Sequence, residues 1–479
     1  MQYNSLILLS NYGNSDAKNF HFGGELLRRP ITIKHEMEKL ASHSGLINIG
    51  ALLDAINFKQ RFDTIAGVHC VNPKLSHSDI LASMLALISI GKPDYDAIEI
   101  FREKQDFFTK AVGIETCPSS PTLRQRIDLI GKKADIQIKQ AVADLIQSCA
   151  PAISPIHTSA GDFIPFDMDV SPFDNSKTQK EGVSRTYKGV DGYAPIFAYL
   201  GTEGYLVNLE LREGKQHCQN NTPAFLNATL DYVRKITDKP ILMRLDSGND
   251  SKDNFPDESR KNVEFIIKRN LRRESQQAWV ELAKKTGQQK RCREGKSVWI
   301  GKTTVGIDGN PLPYPIAFEV TERRIKKGQQ LVFPDYQIDT YWCSIDQLPP
   351  QEVIWLYHDH GTSEQFHSEI KSDMGLERLP SGFFASNSLI LHLAMLAYNM
   401  LRIIGQLSLE ETDPSELPGT RRKKVSRRRI RTVIQDLMYM AGRLVTRGRK
   451  WYLSFGQLNP FSCLMERIYK RLGSLQAVT

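Results

Sequence analysis

The sequence predicts an α/β protein built on a mixed sheet, with a helical block before it and basic helical segments after it. Three observations carry this. Between 160 and 270, three strand-like stretches are followed by a helical one and two further strands, an order that belongs to α/β architecture. Apolar residues recur at helical spacing over about 30–150 and again over 346–405. Between them, 275–345 is turn-rich, β-branched and aromatic, the composition of short strands.

Each element has a local reason. In the first block, "KHEMEKLASHSG", "NIGALLDAI" and "HSDILASMLALISIGK" read as helices stopped by glycine or Gly-Lys. "CPSSPTLRQRIDLIGKKADIQIKQAVADLI" opens with Pro121 in the first turn and Thr122/Gln125 at capping-box spacing. That places Arg124 and Arg126 exposed at a helix N-terminus, as a recognition helix presents side chains to a major groove. After the proline-containing stretch 149–162 the period changes. "FIPFDMDV" (163–170) alternates, "GYAPIFAYLG" (192–201) and "GYLVNLELREG" (204–214) flank the turn "GTEG", and "PILMRLDSG" (240–248) and "VEFIIKRN" (263–270) are further strands. "TPAFLNATLDYVRKI" (222–236) is an amphipathic helix. The apolar stretches 80–90 and 388–401 are too short to span a membrane and read as buried helices. The expected organisation is a helical region at 1–150, an α/β core from 160–274 and 346–405, a β-strand insertion at 275–345, and a basic C-terminal region at 406–479.

The composition narrows the function. A formal charge of +9 favours a polyanionic partner, nucleic acid first. Seven scattered cysteines without a CxxC pair argue against a disulfide framework and a structural zinc site, and fit a reducing compartment. The N-terminus shows no secretory pattern, so a cytoplasmic protein without membrane or small-molecule partners is expected.

The carboxylates carry the chemistry. Strand alternation puts Asp167 and Asp169 on one face of 163–170, which is costly unless a cation or solvent compensates. Asp246 ends the strand "ILMRLD", and sites form at strand ends in open α/β sheets. In "YHDHGTSEQFHSEIKSD" (357–373), a helix starting at "GTSEQ" with Thr362/Gln365 as its cap buries Phe366, Ile370 and Met374. Glu364, Ser368 and Lys371 then share the opposite face, and Glu369, about 140° from Glu364 at ~100° per residue, lies beside the apolar stripe. Glu364 is the better candidate. His358, His360 and His367 lack the spacing of a zinc site.

Tyr357, His360, Glu364 and Lys371 fall at the spacing Y-x2-R-x3-E-x6-K. With Asp169-Val-Ser171 and "RLDSG", this resembles DDE transposases of bacterial insertion sequences. The wider text, through "LREGKQH" and "EIKSDMGLERLPSGFFASN", resembles the insertion sequence 1380 family. It departs at His360, where the signature has arginine; a histidine meets a phosphate only when protonated or through its N–H. The resemblance implies an RNase H-like core with Asp169, Asp246 and Glu364 as catalytic metal ligands, Asp167 as the fallback for the first. It implies a nucleoid-associated bacterial enzyme that cuts terminal inverted repeats and joins them to target DNA, as a homodimer on double-stranded DNA. Lys371, Tyr357 and His360 would meet DNA phosphate. Three carboxylates and no soft ligand select Mg²⁺, or Mn²⁺ as substitute. The 118 residues between Asp246 and Glu364 exceed what one strand and a connection need, and hold the β insertion. A DNA-binding derivative without catalysis, or a purely hydrolytic nuclease, are the alternatives.

Eight of the eleven residues in "RRKKVSRRRIR" (421–431) are basic. Arg421, Arg422, Lys423, Lys424, Arg427, Arg428 and Arg429 are expected to neutralise DNA phosphates. "IIKRNLRRES" (266–275) with Arg323, Arg324, Lys326 and Lys327 would extend that surface along the insertion.

Overall fold

In the computed structural model, the described residues are 33, 39–70, 74–102, 105–257, 260–412, 425–456 and 458–475. Leu40–Thr479 forms one compact unit. Its frame is a mixed sheet of β1 (Gly161–Val170), β2 (Ile196–Leu200), β3 (Tyr205–Glu210), β4 (Ile241–Leu245), β5 (Val263–Arg269), β6 (Gln288–Arg293), β7 (Lys296–Val305), β8 (Pro311–Lys326) and β9 (Gln329–Cys343). The spatial order is β6-β7-β8-β9-β5-β4-β1-β2-β3, and a short strand Ile156–Thr158 also pairs with β1. β4 lies parallel to both β1 and β5, while β1-β2-β3 is an antiparallel meander. β5 accepts β9 in antiparallel register, so the insertion continues the sheet instead of hanging from it.

The centre of the sheet is apolar on both faces, as strands covered on both sides must be. All five residues of β2 and of β4 are buried. The helices α1 (His77–Ser89), α2 (Ser120–Ile130), α3 (Asp135–Cys149) and α4 (Thr222–Ile236) share a core with α5 (Phe384–Glu410). α5 is long and apolar enough to cross a membrane by length and composition, but its apolar window is wholly buried. It also covers the sheet edge: the Asn399 side chain accepts from the Leu206 N–H (3.0 Å) and donates to the Leu206 carbonyl (2.8 Å). Two backbone groups that would otherwise lack partners are satisfied, which blunts an edge strand.

The structure departs from the sequence expectations in five places. Of "KHEMEKLASHSG", residues 34–38 lie outside the described residues, and Leu40–Ala41 forms a strand. α2 is capped by Ser119, whose hydroxyl accepts from the Thr122 N–H, one turn earlier than the Thr122/Gln125 box. The insertion opens with a helix, Gln276–Thr286, because Ser275 caps it and Trp279, Val280 and Ala283 form one buried face. "GTSEQ" does not start a helix: Pro350–Asp359 runs through the tight turn His360–Thr362 into Ser363–Ser368, which widens into a π-turn over Glu369–Asp373. The C-terminal region is not purely helical, since a hairpin, β10 (Gly442–Arg447) and β11 (Lys450–Phe455), precedes the helix Ser462–Gly473.

Candidate active site

β1 and β4 run parallel in the register Met168↔Leu245, so the next residues, Asp169 and Asp246, stand side by side at the carboxyl ends of adjacent strands. The two acids are inequivalent. Burial would raise Asp169, but His367, with Nε2 3.4 Å from Oδ2, then the charge of His360 and the Val170 N–H (2.7 Å) bring it below the usual carboxylate range. Asp246 is raised, first by burial and then by the charge of Asp169, against a hydrogen bond from Asn249 (2.7 Å). A like-charged buried pair behaves this way, and a cation between them would relieve it.

Asp167 takes a different part. Its two oxygens accept from Arg244 Nε and Nη2, both at 2.7 Å, and Oδ1 also accepts from His360 Nδ1 (2.9 Å). Arg244 sits directly opposite it on β4 and reaches Asp359 Oδ2 (2.9 Å) and the Leu356 carbonyl (2.9 Å). Burial would raise the Asp167 pKa, yet Arg244 and His360 hold it at about 2. Asp167 is thus corrected from fallback metal ligand to the anchor of a buried ion cluster, because both oxygens are committed to the guanidinium. The same cluster accounts for His360. Burial alone would lower its pKa, but the charge and hydrogen bond of Asp167 outweigh burial and the opposing charge of Arg244 and raise it.

Tyr357 is part-buried against Tyr341, with ring centroids 4.8 Å apart, and its hydroxyl pKa is pushed up by burial and then by Asp246 and Asp169. Lys371 donates to the carbonyl of Pro172 (2.5 Å), the residue after Ser171, and lies 5.3 Å from the Phe173 ring centroid. Burial lowers its pKa.

Glu364 is exposed, and Phe366, Ile370 and Met374 are buried beneath it. Its charge and those of Asp169 and Asp246 all reach one phenol, that of Tyr187, which donates to the Val170 carbonyl (3.0 Å) and whose pKa is raised by burial first. Among the described residues, no group of three or more His, Cys, Asp or Glu side chains stands close enough to hold one ion together.

Glu369 faces away from the acid pair, into the protein. It is 1 % exposed and accepts from Arg402 Nη2, Arg427 Nη1 (2.8 Å to each oxygen), Tyr398 Oη (3.2 Å) and the Ile430 N–H (3.3 Å). Arg429 pairs with Asp373 (2.7 Å) and Arg428 is buried near Asp436 (3.7 Å). Arg427, Arg428 and Arg429, expected to face DNA, therefore meet carboxylates of the protein itself; Arg427 and Arg429 fasten the segment that follows Glu364, and Arg428 pairs within the C-terminal region. Arg421, Arg422, Lys423 and Lys424 lie outside the described residues. In α2, Arg124 is exposed over the Tyr95 ring. Arg126 is corrected to a buried residue: it follows Leu123 by one turn on the core face and donates to the Leu75 carbonyl (3.1 Å), with His77 Nδ1 at 2.9 Å. On the insertion, Arg324 and Lys326 pair with Glu322 and Asp335.

Sequence reasoning missed Arg244, His367, Tyr187 and the Glu369 cluster. Arg244 had a signal: a guanidinium inside the apolar strand "ILMRL" must be buried with an acid, and Asp167 was at hand. His367 has Tyr199 Oη at 3.1 Å from Nδ1 and Asp169 Oδ2 at 3.4 Å from Nε2. Nothing in the local pattern distinguished it from its neighbours.

The sequence profile of the transposase DDE domain, group 1, matches residues 24–477. No curated protein matches significantly. Among solved structures, a piggyBac transposase synaptic complex with hairpin DNA is similar at a TM-score of 0.41 and 10% identity, over 84% of this chain and 80% of that one. With a family match over nearly its whole length, the chain belongs to the DDE-domain transposases of group 1.

Proposed function

We propose that the chain is an active DNA transposase of the insertion sequence 1380 type, with Asp169, Asp246 and Glu364 as its catalytic acids. The observation that carries this is the pairing of Asp169 and Asp246 at adjacent parallel strand ends, where Asp169 raises Asp246. The strand order β3-β2-β1-β4-β5, with only β1, β4 and β5 parallel, supports an RNase H-like core. The all-oxygen donor set and the acid pair at adjacent strand ends fit a hard divalent ion, held by Asp169 and Asp246 with Glu364 completing the set. The chemistry that bound Mg²⁺, or Mn²⁺, supplies is activation of the attacking oxygen and stabilisation of the leaving one.

The chain's own residues do the rest. His360, hydrogen-bonded to Asp167, and Tyr357 flank the acid pair and orient a DNA phosphate in its mouth. His367 fixes the Asp169 carboxylate. Water attacking phosphorus displaces a 3′-hydroxyl and cuts the strand at the terminal inverted repeat; that hydroxyl, attacking a target phosphodiester in turn, joins the ends. A homodimer would hold two such ends in the bacterial nucleoid.

The test is cleavage of a plasmid carrying the gene with its native flanks, under Mg²⁺ and under Mn²⁺. Asp246→Asn should abolish flank cuts while the protein still folds and binds flank DNA. Retained cutting by Asp246→Asn would remove Asp246 from the mechanism.

A further inference from the structure

The hairpin β10–β11 has no part in the site above, and its two faces differ sharply. Residues directly opposite across an antiparallel pair share a face, and faces alternate along each strand. Gly442/Phe455, Leu444/Leu453 and Thr446/Trp451 make one face. Its root packs inward, where Phe455 rests on the main core and a Cβ on Gly442 would meet Ser44 Oγ at 2.6 Å and Leu453 Cδ1 at 2.8 Å, while Thr446 and Trp451 near the tip are exposed, with Lys110 Nζ 4.4 Å from the Trp451 ring centroid. Arg443/Ser454, Val445/Tyr452 and Arg447/Lys450 make the other face, with Arg447, Lys450 and Tyr452 exposed.

Two further observations point to a ligand for that outer face. From Asp436 to Glu466 the chain has no acidic residue, and among the described residues Arg447, Arg449 and Lys450 have no ion pair. In the insertion, Lys284, Lys302, Arg324 and Lys326 pair with the protein's own carboxylates, as do Arg427 and Arg429. The tight turn is Gly448-Arg449, both with positive φ (54° and 64°). Such a turn favours Asn-Gly or Gly-Gly, and arginine there is strained. A strained, exposed cation at a rigid tip is what a functional contact leaves behind.

We propose that the outer face of this hairpin is a second duplex-DNA contact, in which Arg447, Arg449 and Lys450 neutralise backbone phosphates and Tyr452 lies against the sugar–phosphate edge. Three cations clustered at one tip, without an ion pair among the described residues, leave charge for a polyanion, and the root of the hairpin is packed on the core through Gly442 and Phe455. The inference rests on the transposase reading for its choice of DNA as partner.

The experiment is equilibrium binding of the full-length protein to a labelled duplex of the native flank, and to a random-sequence duplex of equal length, over 50–300 mM salt (roughly the range in which phosphate contacts show). Variants are Arg447→Ala/Lys450→Ala and Arg449→Gly. Each lost phosphate contact should flatten the slope of log affinity against log salt by about 0.9, so the double variant loses about 1.8, equally on both duplexes. Arg449→Gly relieves the turn strain, so it should bind DNA more weakly while melting no lower than wild type. Wild-type slopes in both variants overturn the hairpin contact and leave the transposase reading standing. If wild type binds neither duplex, the transposase reading fails and the hairpin contact with it.

Discussion

Glu369→Gln separates the two glutamates of the helical segment 363–373. The Glu369 carboxylate is buried between Arg402, itself fully buried, and Arg427, whose side chain is 15 % exposed. Removing its charge leaves the Arg402 guanidinium without its counter-ion in the core, and breaking such a pair costs about 3–5 kcal/mol. Arg427 loses less, since water reaches it. Glu364→Gln alters an exposed side chain and should shift stability by about 0.5 kcal/mol at most. Urea unfolding followed by tryptophan fluorescence would report both, beside Mg²⁺-dependent flank cleavage at a temperature where every variant is folded. Glu369→Gln should be the unstable protein that still cuts, and Glu364→Gln the stable one that does not. Combining Glu369→Gln with Arg402→Met should recover part of the loss, because the orphaned charge leaves with its partner. If Glu369→Gln unfolds like wild type and has lost cleavage, Glu369 is a ligand and its burial among arginines is not structural.

Three further outcomes follow from the same geometry. Gly204 turns β2 into β3 at φ 73°, and a Cβ there would meet the Phe366 ring at 2.4 Å. Gly204→Ala should cost about 2–4 kcal/mol from backbone strain and overpacking, and Gly204→Ala/Phe366→Leu should unfold at a higher urea midpoint than Gly204→Ala alone. Asp167, at about pKa 2 when folded and ~3.9 when unfolded, contributes stability that is whole above about pH 4 and lost as pH falls through 2. Its share is about 2 kcal/mol, so the stability gap between wild type and Asp167→Asn should narrow by that amount from pH 5 to pH 2; a gap constant with pH would deny the ion cluster. Arg126→Ala should lower the melting temperature without changing the salt slope of DNA binding, since its guanidinium is bonded to the Leu75 carbonyl and lies against His77; a flattened slope would restore it to the DNA surface.

Much of the frame was legible because it is local. Alternation located β1 and put its two acids on one face. A 3.6-residue period located α4 to the residue and buried Phe366, Ile370 and Met374. Spacing brought Tyr357, His360, Glu364 and Lys371 onto one segment. The misread positions are those where a distant partner overrides the local pattern. Periodicity makes Arg126 and Arg428 solvent-facing by residue type alone, but each is buried. The hairpin at 442–455 passes for helix in an amphipathic stretch until its glycine-arginine turn is seen closed.

What the sequence by itself determined is the set of chemical groups and their neighbourhood along the chain: strand-end acids, a helix carrying Glu364, an excess of positive charge. What only the tertiary structure decided is which of those charges are already satisfied. Asp167 and Asp169 are equivalent by alternation, yet Arg244, 77 residues from Asp167, takes one and leaves the other beside Asp246. Glu364 and Glu369 are five residues apart, yet Arg402 and Arg427 claim the second. Electrostatic pairing in a low-dielectric interior acts through space, so it follows the fold and not the order of residues.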